Sequence, residues 1–281
     1  MGLILGLLAA ILWGIAAVAG ALAARRIGSQ QAVAWAMLIS LVVAVPVAFL
    51  SGPPGEITLR VVVGTLAVSV GALSGFLLVY AALRLGSVSV VTPIAAIYGG
   101  VAALLSMLAG QSLSTVAIFA LVAAVLGAVL AARGDGAASG LVGANPRRAA
   151  LLAVAAALTW GVQLFAGGQI GQELGESWLV AFIRVAGVIV IGLPLLVRRR
   201  LAINRRVLPL LVVAGFGEVS GFTLFLYSAR DGIAQASVLT SQYAAVAVVI
   251  GVVVLKERLQ PVQIAGIVLI MAGVAVLAVS A

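Results

Sequence analysis

Two ionisable side chains lie inside apolar stretches that are each long enough to span a lipid bilayer: Glu218 within residues 207–229 and Arg184 within residues 178–197. A charge near the bilayer centre costs at least ~2.5 kcal/mol, so each side chain has to face protein or water, or find a partner. Glu218 could bind an ammonium group or exchange a proton, and Arg184 could hold a carboxylate through two hydrogen bonds. The alternatives are a purely structural pair or hydrogen bond, and an Arg184 side chain that extends to the nearer headgroups. A direct pair between the two requires their charged atoms to approach within ~4 Å.

Six further side chains carry polar atoms within the apolar stretches and are candidates for the same binding site: Trp13, Trp160, Gln163, Tyr98, Gln242 and Tyr243. An indole in the middle of a span needs an acceptor for its N–H or a wet cavity. Gln163 shares a helical face with Trp160, which lies three residues earlier. Glutamines in hydrocarbon either bond to a neighbouring helix or contact a ligand. We therefore predict a substrate site walled by aromatic rings, with close packing as the alternative for the rings and helix–helix hydrogen bonding as the alternative for the glutamines. We expect Tyr80 and Tyr227 to be packing or interfacial residues.

Glycine pairs and a proline predict how the helices are arranged. The four-residue spacing in Gly71/Gly75 and in Gly217/Gly221 allows two helices to approach closely. We expect these pairs to bring the third and eighth apolar segments together and to set Glu218 beside the partner backbone. Pro93 removes a backbone hydrogen bond from the fourth segment. A kink there can act as a hinge or free carbonyl groups to line a cavity.

The composition is that of an integral membrane protein. Of the 281 residues 64% are hydrophobic and 8% charged, against about 25% charged residues in a soluble domain. Cysteine and histidine do not occur in the sequence, which excludes disulfides, thiol nucleophiles and His-ligated metals, and we expect neither a metal nor a cofactor. The net charge of +9 comes from arginines in short loops without interleaved aromatics, a pattern that does not indicate nucleic-acid binding. A nucleotide-binding loop is missing too, so ATP is not an expected partner.

The chain repeats itself in sequence. Trp13-Gly14 returns as Trp160-Gly161 at an offset of 147, the 71–75 glycine pair returns at 146, and the Ser-Val-x-Thr motif of 89–92 returns at 148. We predict ten spans, at residues 3–24, 32–50, 61–83, 87–109, 113–132, 149–170, 178–197, 207–229, 233–255 and 260–280. The first span begins at residue 2 or 3 without a preceding basic segment, and we expect it to be a retained helix.

An odd number of spans in each half forces the halves into opposite orientations, as in many secondary transporters with a site near the midplane. The predicted fold is therefore an all-α membrane protein of two inverted five-helix repeats around a central cavity. The repeats cover residues 1–134 and 149–281, and 135–148 form the loop between them.

The basic residues are unevenly distributed between the two faces. One face carries 13 of them and the other carries two, Arg60 and Arg230; the 13 are Arg25, Arg26, Arg84, Arg133, Arg147, Arg148, Arg198, Arg199, Arg200, Arg205, Arg206, Lys256 and Arg258. Positive loops favour the cytoplasm. We therefore predict that both termini lie outside the cytoplasm.

Several motifs together resemble the ten-span bacterial drug/metabolite transporters built from two EamA-type repeats. They are the two Trp-Gly pairs, Tyr80 ahead of Arg84, Tyr227 ahead of Arg230, Pro93, and the turn Leu255-Lys-Glu257-Arg-Leu259 followed by Gln263, Gly266 and Gly273. The chain departs from that pattern at Gly110-Gln111 in place of the turn's glutamate, at Ser241 in place of a second proline, and in the predicted orientation of the termini. The resemblance implies a protein of the bacterial cytoplasmic membrane that exports or exchanges small metabolites, amino acids among them, through a cavity lined by spans 1, 3, 4, 6, 8 and 9.

The function that these features favour is a secondary transporter that moves an amino acid or a related amphipathic metabolite by alternating access. Its expected partners are that small molecule, the lipid bilayer and protons as a candidate coupling ion, and we expect a monomer. An intramembrane enzyme is the alternative, but hydrolysis needs an acid–base set that one buried carboxylate does not supply. A channel would need rings of charge or a carbonyl filter, which the sequence does not display. We expect Glu257 to be a loop residue that pairs with Lys256 or Arg258.

Overall fold

The computed structural model describes residues 1–110, 145–201 and 205–280, with a few scattered residues between 115 and 130, and without the side chains of 274 and 277–280. All regular elements in these ranges are helical: α1 Gly2–Ile27, α2 Ser29–Leu50, α3 Leu59–Leu85, α4 Val88–Ala95, α5 Tyr98–Leu108, α6 Pro146–Leu174, α7 Glu176–Gly187, α8 Leu193–Val197, α9 Leu208–Ser228, α10 Ile233–Ser241, α11 Tyr243–Val253 and α12 Pro261–Ser280. A π-helical turn, Val188–Gly192, joins α7 to α8.

Eight segments of the described chain are long and apolar enough to cross a membrane, and α12 adds a shorter apolar run over Pro261–Gly273. They coincide with nine of the ten predicted spans to within a few residues. The predicted fifth span, 113–132, and the loop 135–148 lie largely outside the described residues. The helical class follows from the solvent, because a backbone in hydrocarbon must satisfy its own hydrogen bonds.

The helices begin and end at residues that local chemistry selects. Thr58 accepts a hydrogen bond from Val61 N at 3.2 Å and begins α3. Asn145 accepts one from Arg148 N at 3.0 Å and begins α6. Gly28 ends α1 with a φ of 86°, a conformation that glycine adopts without a steric penalty.

Helices α1 and α3 of the first half run in the same direction. Tyr80 packs against Gly20, and further along both helices Arg25 Nη2 donates to the Gly86 carbonyl at 3.0 Å. We call the side where α1 ends the Arg25 face, and the side where α1 begins the Gly2 face.

Helix α6, the first helix of the second half, runs in the opposite direction. The start of α6 meets the end of α3, where Gly86 packs on Ala149, and the end of α6 meets the start of α3, where Gly64 packs on Ile170. Since α1 is parallel to α3, the first helices of the two halves are antiparallel. The predicted inversion of the repeats is confirmed.

The glycine pairs pack against the first helix of the other half and not against each other, so the prediction that they join the third and eighth spans was wrong. A Cβ on Gly75 would overlap the Trp160 indole, and a Cβ on Gly221 would lie 2.6 Å from Trp13 Cδ1. Gly71 faces Gln163 in the same way. The inverted symmetry is the reason, because it sets the third helix of each half beside the first helix of the other.

Two of the spans that the structure describes are broken in the middle. Helix α4 ends at Ala95, two residues after Pro93, as the proline predicts, and α5 begins at Tyr98. The span of α10 and α11 breaks at Gln242 without a proline.

The two breaks define the register between the halves. Tyr98 and Tyr243 each begin the second half-helix, and their carbonyl oxygens face Gly161 and Gly14 respectively. The structural offset here is therefore 145 residues, three fewer than the offset of the Ser-Val-x-Thr motifs. A local sequence match in an apolar chain can slip by nearly one helical turn without changing the apolar pattern.

Candidate functional site

A cavity lies between the halves and holds about 660 Å³ of empty space, its open mouth included. Seven of the eight predicted binding residues line it. The full lining is Trp13, Ala16, Ala17, Ala72, Phe76, Val79, Tyr80, Leu83, Tyr98, Trp160, Gln163, Leu164, Ile183, Arg184, Glu218, Phe222 and Tyr243. The eighth, Gln242, is not among them; it occupies the break between α10 and α11, and its amide nitrogen is buried with no hydrogen-bond partner among the described residues.

Arg184 and Glu218 form an ion pair inside this cavity. Arg184 Nη2 lies 3.3 Å from Glu218 Oε1, and the side chains are 1% and 13% exposed. Glu218 sits ten residues from Leu208 and ten from Ser228, the two ends of α9. The Arg184 side chain therefore does not extend to the headgroups. It pairs directly with Glu218, within the ~4 Å that such a pair requires.

The Arg184 guanidinium is held by further contacts. Its Nη1 lies 3.6 Å from Met37 Sδ, and its Cζ lies 5.8 Å from the centre of the Phe222 ring. Gly187, one turn further along α7, packs directly on Met37. Close packing of α7 on α2 thus turns the arginine inward.

Aromatic rings form the cavity walls. Tyr98 and Tyr243 stack with ring centres 5.9 Å apart, and Tyr98 meets Trp13 and Trp160 edge-on at 6.3 and 6.1 Å. The Trp13 indole N–H reaches the Glu218 carbonyl at 3.4 Å. Tyr243 donates from its hydroxyl to the Thr92 carbonyl at 3.2 Å and so links the two broken spans.

Two nitrogen donors in the cavity wall have no partner among the described residues. Arg184 Nε and Gln163 Nε2 are both buried and unbonded, and Gln163 as a whole is 5% exposed. An unpaired buried donor costs roughly 1–3 kcal/mol. A ligand that carries acceptor oxygens would remove that cost, so the wall is suited to a carboxylate or a similar group.

The aromatic rings of the cavity occur at equivalent positions in both repeats, whereas its charged and amide groups, among the described residues, occur in the second repeat only. Phe76 and Phe222 occupy one repeat position at an offset of 146, as Trp13 and Trp160 do at 147. The charged and amide groups have apolar counterparts in the first half: Arg184 stands opposite Met37, Glu218 opposite Ala72 and Gln163 opposite Ala16. The second half therefore supplies the ion pair and the amide of this site.

Sequence reasoning missed several lining residues. Phe76 and Phe222 could have been found, because two aromatic residues at one repeat position are a signal in themselves. Tyr80 was expected to be a packing or interfacial residue, yet it lines the cavity. Leu164 and Ile183 carry no signal, since they do not differ from other apolar residues of their helices.

Glu257 does not pair with Lys256 or Arg258 as expected. Its carboxylate accepts hydrogen bonds from the start of α4, and it lies 3.7 Å from Arg25. The prediction failed because these partners are more than 160 residues away in sequence, in the other half of the molecule.

Comparison with known families identifies the chain. The model of the EamA-like transporter family matches it twice, over residues 1–133 and 147–279. The chain belongs to the EamA-like transporter family. This EamA-like protein is thus a multi-pass membrane transporter of small metabolites.

The fold has a counterpart among solved structures. One crystal structure superposes with a TM-score of 0.71 over 98% of this chain and 95% of its own, at 19% sequence identity. At that identity the similarity concerns the fold alone. A comparison with curated proteins gives no match.

Proposed function

We propose that this EamA-like protein carries a zwitterionic metabolite, an amino acid or a close relative, across the bacterial cytoplasmic membrane by alternating access. One observation carries the proposal: the Arg184–Glu218 pair lies in the central cavity, between aromatic walls and beside two unbonded donors. Ionisable groups within spans mark substrate and ion pathways.

The arrangement suggests how a zwitterion binds. Its carboxylate binds the Arg184 guanidinium and the Gln163 amide, which line the cavity and each carry a buried nitrogen without a partner among the described residues. Its ammonium group binds Glu218 and the faces of nearby rings, where cations are attracted to the π electrons. The rest of the molecule packs against Trp13 and Trp160. In the empty site the two charges neutralise each other.

Alternating access fits the inverted halves, because either half can rock against the other around a fixed central site. Glu218 is the candidate for proton coupling, since it is the only carboxylate among the described residues that line the cavity. Enzymatic chemistry finds less support there, because a single carboxylate paired with an arginine does not form an acid–base set.

The test replaces Arg184 and Glu218 by their repeat counterparts. The double variant R184M/E218A removes both charges together, so neither is left buried without its partner. We expect it to fold and to lose counterflow of labelled amino acids in proteoliposomes, and to lose thermal stabilisation by those ligands. E173Q, a carboxylate-to-amide change at the exposed pair with Arg60, serves as the control. We expect it to keep both counterflow and the thermal stabilisation by ligands. Unchanged counterflow in the folded double variant would remove the pair from the mechanism.

A further inference from the structure

A second polar cluster lies outside the cavity, at the Arg25 face. Glu257 is only 7% exposed in its side chain. One of its oxygens accepts a hydrogen bond from Val88 N at 2.8 Å, and the other accepts from Ser89 N at 2.8 Å and Ser89 Oγ at 2.7 Å. Both backbone donors belong to the first turn of α4, where a carboxylate is stabilised by the free N–H groups and the helix dipole.

The backbone at the end of α11 turns so that the Glu257 carboxylate reaches the start of α4. Leu255 N bonds back to the Ile250 carbonyl and Glu257 N to the Gly251 carbonyl, while Lys256 adopts a φ of 54°. A left-handed conformation in a residue other than glycine is strained. A Cβ on Gly251 would overlap Ser89 Oγ and lie 2.9 Å from Glu257 Oε2, so this glycine makes room for the contact.

Arg25 connects the cluster to the cavity. Its Nη2 lies 3.7 Å from Glu257 Oε1, its Nε donates to the Leu83 carbonyl at 3.0 Å, and its Nη2 also donates to the Gly86 carbonyl. The Leu83 side chain lines the cavity. Leu83 and Val79, which line this end of the cavity, are 0% and 3% exposed, so the cavity is covered here. The cluster therefore lies directly behind one covered end of the cavity, and it joins Glu257 of the second half to α1, α3 and α4 of the first.

The repeat positions that correspond to Arg25 and Glu257 hold uncharged residues. Gln172 occupies the repeat position of Arg25 and donates to the Ala229 carbonyl at 3.3 Å, the counterpart of the Leu83 carbonyl. The residue that follows Gly110, whose φ of 100° matches the turn at Lys256, is Gln111 in place of a glutamate.

Other contacts join the halves at the Gly2 face. Gly2 N donates to Asp231 Oδ2 at 2.9 Å, and Arg60 pairs with Glu173 at 3.1 Å. The Arg60 and Glu173 side chains are 67% and 35% exposed, and exposed pairs contribute little. The buried, charged connection is therefore a feature of the Arg25 face.

We infer that Glu257 is a positioning residue of the transport cycle: by holding the start of α4 and Arg25 it keeps the cavity closed at the Arg25 face, and its release opens that face. The inference rests on the proposed alternating access. It assigns to Glu257 a control over which side the cavity faces, acting through α4 and Arg25 and without touching the substrate.

The experiment uses the natural lack of cysteine, which leaves no background labelling. Val79 lines the cavity between its centre and Leu83, and V79C serves as the reporter for an impermeant thiol reagent in right-side-out and inside-out vesicles. A separate R148C protein, exposed at the Arg25 face, shows which vesicles present that face. E257Q, which copies Gln111, and R25Q, which copies Gln172, are each combined with V79C. No substrate is added, so the result does not depend on the identity of the metabolite.

We expect both variants to raise the rate of V79C modification from the Arg25 face by about tenfold, the effect of losing one charge-assisted hydrogen bond. E173Q, the same chemical change at the other face, leaves that rate unchanged. Ala153 is fully buried and does not line the cavity, so A153C reports unfolding and stays unreactive in both variants. An unchanged V79C rate, an equal rise from both faces, or reactive A153C would each overturn the inference.

Discussion

At the scale of single residues, this protein places one charge of each sign where its own repeat places apolar side chains. Arg184 and Glu218 stand opposite Met37 and Ala72 in the other half. The helix packing common to the two halves therefore does not require either charge. A buried pair adds little to stability compared with apolar residues of similar size, which favours a role in binding over a role in folding.

Removing one partner of this pair should be more damaging than removing both. In E218Q the Arg184 charge stays buried without its counter-ion, and we expect the free energy of unfolding to fall by roughly 3–5 kcal/mol. The midpoint of denaturant unfolding in detergent measures this.

R184M/E218A is the matched comparison for E218Q. It should unfold at a midpoint closer to that of the original protein than E218Q does. If the double variant proves the less stable of the two, the pair contributes to folding and the argument for a binding role is weakened.

At the scale of helices, the fold depends on glycines against which tryptophan indoles pack closely. Gly75 lies under Trp160 and Gly221 under Trp13, at equivalent places in the two halves. This contact brings α3 against α6 and α9 against α1. It also fixes two indoles that line the cavity, so helix packing and site geometry depend on the same atoms.

G75A tests this coupling. The added methyl group overlaps the Trp160 indole, and overpacking of this kind costs about 1–3 kcal/mol. We expect a lower melting temperature and weaker ligand-induced stabilisation, both measured by thermal unfolding. G192A is the control, since its Cβ would lie 3.8 Å from Val188, an ordinary contact. Equal effects of the two changes would contradict the packing argument.

At the scale of the whole molecule, the contacts between the two halves differ in charge and burial between the Arg25 face and the Gly2 face. The charged contact that joins the halves is mostly buried at the Arg25 face, whereas the Arg60–Glu173 contact that joins them at the Gly2 face is largely exposed. The bidentate contact of Arg230 with Glu176 also lies at the Gly2 face. Hydrogen bonding to that carboxylate raises the pKa of Arg230 above its ordinary value. This pair stays within the second half and does not connect the two halves.

The excess of basic residues predicts that the Arg25 face lies in the cytoplasm. Single cysteines at Glu56, on the Gly2 face, and at Arg148, on the Arg25 face, test this in intact cells with an impermeant maleimide. We expect E56C to be labelled and R148C to be labelled only after the cells are opened. The reverse pattern would show that the termini are cytoplasmic.

The sequence alone determined the membrane class, the positions of nine described spans, the duplication and its inversion, and seven of the residues that line the cavity. These follow from hydropathy, from an odd number of spans and from rare polar residues in apolar runs, all of which are properties of short segments. The Pro93 break belongs to the same group. Seven of eight candidate side chains line one cavity because lipid-facing positions exclude polar groups, which leaves only the interior.

Only the tertiary structure decided which helices meet. It separated the glycine pairs and set each against an indole, it brought Arg184 to Glu218, and it carried Glu257 to the start of α4. It also showed that the second broken span needs no proline and that its register differs from the motif match. Each of these depends on the relative position of segments far apart in sequence, and an apolar helix carries almost the same local pattern whichever neighbour it has.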